Sequence, residues 1–527
     1  MLFTSLPFVC FLAVVLLLYY LVPKKTQWGF LLIASYAFYA IADWRYLFFI
    51  ATTTVTVWFA SVRIGRLHGV QSAFLAEHKS TMGKAEVKDY KAKMKKKRFL
   101  LLLFCLLFNV LILSVTKYTN FVINNINTFL DEASSLRAID MIVPLGISFY
   151  TFQSLGYMID VYRGKQEAQG NLFKFALFVS FFPQLAQGPI SRYNDLAPTL
   201  LASHRFERKT FSYGLMRILW GYFKKVVIAD RIISGVKVLI AGPEYTGPYV
   251  FIAMLFYAFE LYCDFTGGID ITIGIAESMG ITITENFNLP YFSKNIKEYW
   301  KRWHITMGTW FTDYIFYPVS VSGPMLKLTK WSKNRLPRFI ARRLPVYLSS
   351  LIVWFVTGVW HGAAWNFIVW GLMNFVVIMI SQELEPLYSR FHKRFRVKGK
   401  APYEAFQIIR TVLLMSAIRM FDCYRDVPLT FKMVGTMFTT FDFSVFTSGA
   451  LLKIGLSASD YIVLGVGFAV VLTVSILKRK YGNVRDLLYN KPFASFYQVM
   501  AVLLIVILVY GAYGRGYDSS QFIYQQF

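Results

Sequence analysis

The apolar residues of this chain fall in long uninterrupted blocks, with most of the basic residues between them. Leu6–Val22, Phe99–Val115 and Ala501–Tyr510 illustrate the pattern. Blocks approaching twenty residues match the hydrocarbon thickness of a bilayer when helical. Unpaired backbone is too costly there, so a chain that crosses repeatedly must do so as helices or a closed barrel. Composition agrees: 56% of the 527 residues are hydrophobic and only 16% are charged, against roughly 25% in soluble domains. A soluble multidomain enzyme and a disordered chain are both excluded. The expected class is an all-α, polytopic membrane protein, residues 1–527 forming a single multi-pass domain with about twelve crossings.

The net charge of +27 would suggest nucleic acid in a soluble protein. Here it is concentrated between apolar blocks, as the positive-inside rule predicts for cytoplasmic loops beside anionic membrane lipids. No nucleic-acid partner is expected. Arg63–Arg98 holds eleven Lys/Arg against three acids, Lys327–Arg343 seven against none, and Arg390–Lys400 six against none. These three loops are expected in the cytoplasm, the first as a helix on anionic lipid. Lys24 and Lys25 follow the first apolar run rather than precede it, which is not the order of a cleavable signal peptide.

Two segments read as irregular. Asn171–Gln187 contains Phe182-Pro183-Gln184 and runs into Gly188-Pro189, so it is expected to be kinked or re-entrant. Phe211–Ile240 has a helical pattern but carries Lys224, Lys225, Asp230, Arg231 and Lys237. It is expected to be tilted, partly interfacial or facing a wet cavity. Asp264 and Asp270 are carboxylates in an apolar run. Binding substrate, capping a broken helix and pairing with a basic residue are all open for them.

Of six histidines, five lie in or beside charged stretches. His361 lies in Gly358-Val-Trp-His361-Gly-Ala-Ala-Trp365, inside an apolar hairpin whose flanks are both basic. An ionisable group in such a place is a functional hypothesis by default. It stands sixteen residues beyond Pro345, about 24 Å along a helix, which places it well across the bilayer. Gly358 and Gly362 leave room beside it for substrate or another helix. His304 lies in Tyr299-Trp-Lys-Arg-Trp303-His304 followed by Trp310-Phe-Thr-Asp-Tyr314, an amphipathic stretch at a cytoplasmic border. Imidazoles exchange protons near neutral pH. No metal is expected, since a catalytic zinc usually takes three protein ligands. Cys10, Cys105, Cys263 and Cys423 have no metal or redox spacing.

These residues resemble the signature of the membrane-bound O-acyltransferases. The motifs Pro144-Leu-Gly-Ile-Ser-Phe-Tyr-Thr-Phe-Gln153, Gln187-Gly-Pro-Ile190, Tyr262-Cys-Asp-Phe-Thr-Gly267 and Gln521-Phe-Ile-Tyr-Gln-Gln-Phe527 resemble its alginate O-acetylation (AlgI-like) branch over nearly the whole chain. The resemblance implies a ring of tilted helices around a tunnel in a bacterial cytoplasmic membrane. It implies acetyl transfer from a cytoplasmic thioester, acetyl-CoA as co-substrate rather than bound cofactor, to hydroxyls of an exported polysaccharide. An extracytoplasmic SGNH-type acetyltransferase is an implied partner. His361 carries over as the catalytic histidine and His304 as the second one. Trp303, Trp310, Asp313, Tyr314, Trp360 and Asn366 stand in or beside the motifs and are expected on the substrate path. Lys297, Lys301 and Arg302 are expected to meet an anionic donor. The rival within the family is D-alanine transfer to teichoic acid from a carrier-protein thioester (DltB-like). The rival outside it is a transporter without chemistry.

Overall fold

The computed structural model describes residues 3–131, 134–489 and 493–514. The terminal motif Gln521–Phe527 and Glu132 lie outside the described residues. The described chain is helical, with a single isolated antiparallel bridge between Phe287 and Trp303. Six described helices are long and apolar enough to cross a membrane: Tyr46–His78, Lys84–Asn127, Pro248–Ser278, Arg338–His361, Trp365–Glu383 and Ala458–Tyr481. Leu6–Leu21 and Ser495–Tyr510 are shorter apolar helices. The protein is a multi-pass, all-α membrane protein. The expected tally of about twelve also takes in helices of 16 residues, such as Gln27–Ala42 and Ile147–Tyr162, and charge-bearing ones such as Ala401–Tyr424.

The chain packs as two compact units, residues 1–214 with 275–284, and residues 215–274 with 285–527. In the first, the basic stretch 63–98 is not a separate surface helix. It consists of the end of Tyr46–His78, a turn, and the start of the 44-residue helix Lys84–Asn127. Nothing in Arg63–His78 breaks a helix. The next helix begins after Gly83, whose backbone N–H donates to Glu86 Oε2 at 2.8 Å.

Broken backbone at membrane depth is stable only when its polar groups find partners inside the protein. The expected kinked segment is two short helices, Leu172–Ser180 and Phe182–Gln187, interrupted at Phe181. The break is satisfied by side chains. Ser35 Oγ accepts from Phe182 N–H at 3.1 Å, and Gln153 Nε2 donates to Phe178 O at 2.8 Å. Gln184 Nε2 donates to Pro189 O at 3.1 Å. Gly146 sits at φ 70°, and a Cβ there would lie 2.6 Å from Leu185 O. The two signature motifs of this unit, around Gly146 and Gly188, therefore seat one broken element against another.

The second unit solves a different problem, the charges within 211–240. The helix runs Arg208–Tyr222, loosens to a π-helical turn at Phe223–Ala229, and continues as Asp230–Ala241. Lys224 and Lys225 are buried. Lys225 Nζ reaches Asp230 at 2.7 Å and Asp264 at 2.5 Å. Lys224 Nζ reaches Asp270 at 2.6 Å and donates to Thr266 Oγ1 at 2.7 Å. Arg217 bridges Asp270 at 2.9 Å and Glu285 at 2.7 Å. Arg231 pairs with Asp460, and only Lys237 in this set is exposed. The pairing reading of Asp264 and Asp270 is the one realised.

Removing one partner of a buried ion pair leaves an uncompensated charge and costs about 3–5 kcal/mol. Lys225→Met should therefore lower the thermal midpoint of the detergent-solubilised protein sharply. Combining it with Asp230→Asn and Asp264→Asn should restore most of the loss. An unchanged midpoint in the single variant would show that the cation contributes nothing.

Candidate active site

Both histidine motifs lie in the second unit. The first is built on irregular backbone. Residues 286–288 pair antiparallel with 302–305: Asn288 N–H donates to Arg302 O at 2.9 Å, and Ile305 N–H to Asn286 O at 3.0 Å. Two seven-residue helices follow one another here, Ile296–Arg302 and Ile305–Phe311. Asn295 caps the first, accepting from Glu298 N–H at 2.9 Å. His304 is the N-cap of the second, at φ 49°. A non-glycine residue in the left-handed region costs about 1–3 kcal/mol and persists only where its surroundings over-determine it. Here the paired segments 286–288 and 302–305 do so. The imidazole is buried, with Nδ1 3.2 Å from Asn286 Oδ1 and Phe265 edge-on at 5.1 Å. Burial, with the Arg419 cation adding to it, pushes its pKa down from 6.5 to about 3. At neutral pH this imidazole is uncharged.

The second motif closes a helical hairpin, Arg338–His361 and Trp365–Glu383. The hairpin helices touch through glycine. A Cβ on Gly358 would lie 2.6 Å from Phe367 O, and one on Gly371 2.4 Å from Trp354 O. The space expected beside His361 is thus taken by its own hairpin partner. His361 is the last residue of its helix and is 9% exposed. Trp370 meets it edge-on at 4.5 Å.

Trp360 joins the two motifs. Its ring lies 6.1 Å from His304 and 5.1 Å from His361. Behind it stands a cation that sequence reading missed. Arg419 is 5% exposed, paired with Asp422 at 2.9 Å, and lies over Trp370 at 4.9 Å, Trp303 at 5.2 Å and Trp300 at 5.7 Å. Charge inside the run 408–421 was the available signal. Asn286 carried none.

The other expected residues separate. Trp303, Trp310, Tyr314 and Trp360 are buried, and Asp313 is half-buried. Trp310 and Tyr314 pack at 5.1 Å. Asn366 donates to Phe421 O at 3.2 Å, tying the hairpin to the helix Ala401–Tyr424. Lys297 lines a cavity of about 600 Å³. Arg302 turns back to Glu298 at 2.8 Å and to Asn288 O at 3.2 Å, while Lys301 is exposed. The cavity carries six Lys/Arg (Lys294, Lys297, Arg342, Arg343, Lys398 and Arg410) and His392 against one acid, Glu385. Asn295, Ile296 and Lys297 line it, and the helix Ile296–Arg302 that begins there ends two residues before His304, a rise of about 10 Å over seven residues. Among the described residues no cluster could hold a metal ion.

The sequence model of MBOAT, the membrane-bound O-acyltransferase family, matches residues 168–331. A probable alginate O-acetylase AlgI from Azotobacter vinelandii is 34% identical over 377 residues, covering 71% of this chain and 67% of that protein. The chain belongs to the membrane-bound O-acyltransferase family. A peptidoglycan O-acetyltransferase from Helicobacter pylori is 31% identical over 54% of the chain and 56% of its own length. A teichoic acid D-alanyltransferase from Bacillus subtilis is 30% identical over 49% of the chain and 62% of its own length. In this membrane-bound O-acyltransferase the matched segment spans His304 and the whole bridge that holds it.

The glycine contact sets the position of His361, which suggests a direct check. Gly371→Ala drives a Cβ into backbone and should cost about 1–3 kcal/mol by overpacking. It should also lower acyl transfer at least tenfold. Gly435→Ala, with open space around it at an exposed helix position, should leave activity unchanged and hold or slightly raise the thermal midpoint. Equal behaviour of the two variants would refute the hairpin argument.

Proposed function

We propose that the protein moves an acetyl group from a cytoplasmic thioester, acetyl-CoA, to hydroxyls of an exported polysaccharide, directly or through an extracytoplasmic SGNH-type acetyltransferase. The observation that carries this reading is the meeting of both histidines on Trp360, with a strongly basic cavity at the far end of the helix leading to His304. The cavity suits the phosphates of the donor, whose charges could not be buried in the membrane without great cost. Arg342 and Arg343 from the expected cytoplasmic patch 327–343, and His392 and Lys398 from 390–400, line part of it, so on this reading the donor's nucleotide stays on that side. Only the acyl-bearing arm passes inward, past His304.

A thioester is already activated, so the enzyme's work is positioning and proton transfer. His361 takes the proton of the attacking hydroxyl as its oxygen bonds the thioester carbonyl carbon. The carbon–sulfur bond then breaks, and the thiolate leaves and takes the proton from His361, which returns to its neutral form. His304, held neutral, orients the donor through a hydrogen bond rather than by charge. Relatives named for acetyl transfer to alginate and to peptidoglycan support an acetyl donor and a polysaccharide acceptor. The similarity to the D-alanyltransferases is shorter, which favours acetyl over D-alanyl transfer.

His361→Ala should abolish polymer acetylation while the protein inserts and keeps its thermal midpoint. Polymer export should continue, which a transporter reading forbids. Inverted membrane vesicles should consume added acetyl-CoA, and sealed right-side-out vesicles should not. Lys297→Glu and Arg342→Glu should raise the donor's KM at least tenfold with little change in acceptor use. Equal consumption of external acetyl-CoA by right-side-out vesicles would overturn the two-sided mechanism.

A further inference from the structure

We propose that Asn286 is a positioning residue that fixes the proton of His304 on Nδ1, leaving Nε2 as the acceptor nitrogen of the ring. This deepens the role given to His304 above and rests on it.

The argument begins with Asn286 itself. Its side-chain oxygen and nitrogen look alike in shape, so its partners must identify them. The atom facing Thr306 lies 3.1 Å from Thr306 N and 2.9 Å from Thr306 Oγ1. A backbone N–H can only donate, so this atom is the carbonyl oxygen. The same oxygen is 3.2 Å from His304 Nδ1. A carbonyl oxygen cannot donate, so Nδ1 must carry the proton of that bond. A neutral imidazole has one proton. Nε2 is therefore left with its lone pair, an acceptor toward a donor amide or hydroxyl.

The asparagine is itself held firmly. It is fully buried. Its main-chain oxygen accepts from Ile305 N–H at 3.0 Å, and the Phe287–Trp303 bridge follows directly. Glu285, the preceding residue, is clamped by both terminal nitrogens of Arg217 at 2.7 Å each. One short extended segment thus sets both the left-handed backbone of His304 and its tautomer. The charged groups around the pair are named readily. Arg419 with Asp422 comes from the helix Ala401–Tyr424. Arg302 with Glu298 lies on the same segment as His304. Arg217 with Glu285 and Asp270, and Lys224 with Asp270, lie on the Asn286 side. All are paired, so the neutral amide of Asn286 leaves the imidazole neutral.

The test compares Asn286→Asp, Asn286→Leu and His304→Ala in proteoliposomes with acetyl-CoA as donor. Asn286→Asp keeps an acceptor for every donor but places a carboxylate against the ring. That favours the imidazolium, so activity should fail from a higher pH on acidification. The acid limb of kcat should move up by more than one pH unit. Asn286→Leu should lower kcat at least tenfold with donor KM within threefold. A purely structural asparagine would shift neither the limb nor this kcat–KM balance. A wild-type profile in Asn286→Asp, with His304→Ala inactive, would overturn this inference alone. Full activity in His304→Ala would overturn the reading of His304 and this inference with it. Nitrogen NMR of histidine-labelled wild-type protein, with His304→Ala to assign the signal, should show the Nδ1–H tautomer. An Nε2–H tautomer would overturn the proposal.

Discussion

The second unit depends on one buried cation. Arg419 is shut off from solvent with Asp422 as its counter-ion, and three tryptophan rings surround it. A guanidinium cannot lose its charge in a protein, so every part of that cage is obligatory. A desolvated cation over an aromatic face contributes about 2 kcal/mol, and here three faces converge. Each face belongs to a piece of the site. Trp300 and Trp303 end the short helix before His304. Trp370 stacks edge-on against His361. Asp422 lies on the same helix as the Phe421 carbonyl that anchors Asn366. The cage holds the irregular His304 segment, the hairpin and the helix Ala401–Tyr424 in one arrangement. Neither histidine could shift without uncovering the charge.

The same logic explains where the other interior charges went. A chain with so few charged residues still buries Lys224, Lys225 and Asp264 and half-buries Arg217 and Asp270, and each has an opposite charge in contact. A buried pair is weak evidence for stability, because desolvation offsets the attraction. What Arg217 contributes is position. By gripping Asp270 on one side and Glu285 on the other, it places the segment that carries Asn286. In the cavity around Lys297 and Arg342, Lys294 is answered by Glu404 and Arg343 by Glu383, and the basic residues beyond those two pairs suit an anion.

Legibility in the sequence followed the range of the interaction. Apolar blocks, the break near Phe181, the hairpin around His361 and the two histidines announce themselves locally, in period, proline or a lone ionisable residue. The motif resemblance supplied the family. Local pattern also misled: the basic run 63–98 looked like a surface element, yet it is two helix ends that continue neighbouring apolar helices. What stayed hidden is pairing across distance. Nothing near Lys225 announces Asp264, 39 residues on. Nothing near His304 announces Asn286, an asparagine in a loop 18 residues upstream. Arg419 and Asp422 were visible as charges in an apolar run, but their cage of tryptophans needed the fold.

The irregularity around His304 follows from what a transfer site in a membrane requires. A regular helix satisfies its own backbone and offers substrate only side chains at fixed intervals. Ending one short helix at Trp303 and starting another at Ile305 breaks that monotony and turns a single side chain out of register. The break exposes N–H groups that lipid cannot satisfy. Asn286 answers with both its main-chain and side-chain oxygens, and the bridge at Phe287 closes the rest. The element that makes the broken backbone affordable is therefore the element that contacts the imidazole. Structural repair and orientation of the reacting group are one set of hydrogen bonds, so the fold cannot relax the strain at His304 without also losing control of its proton.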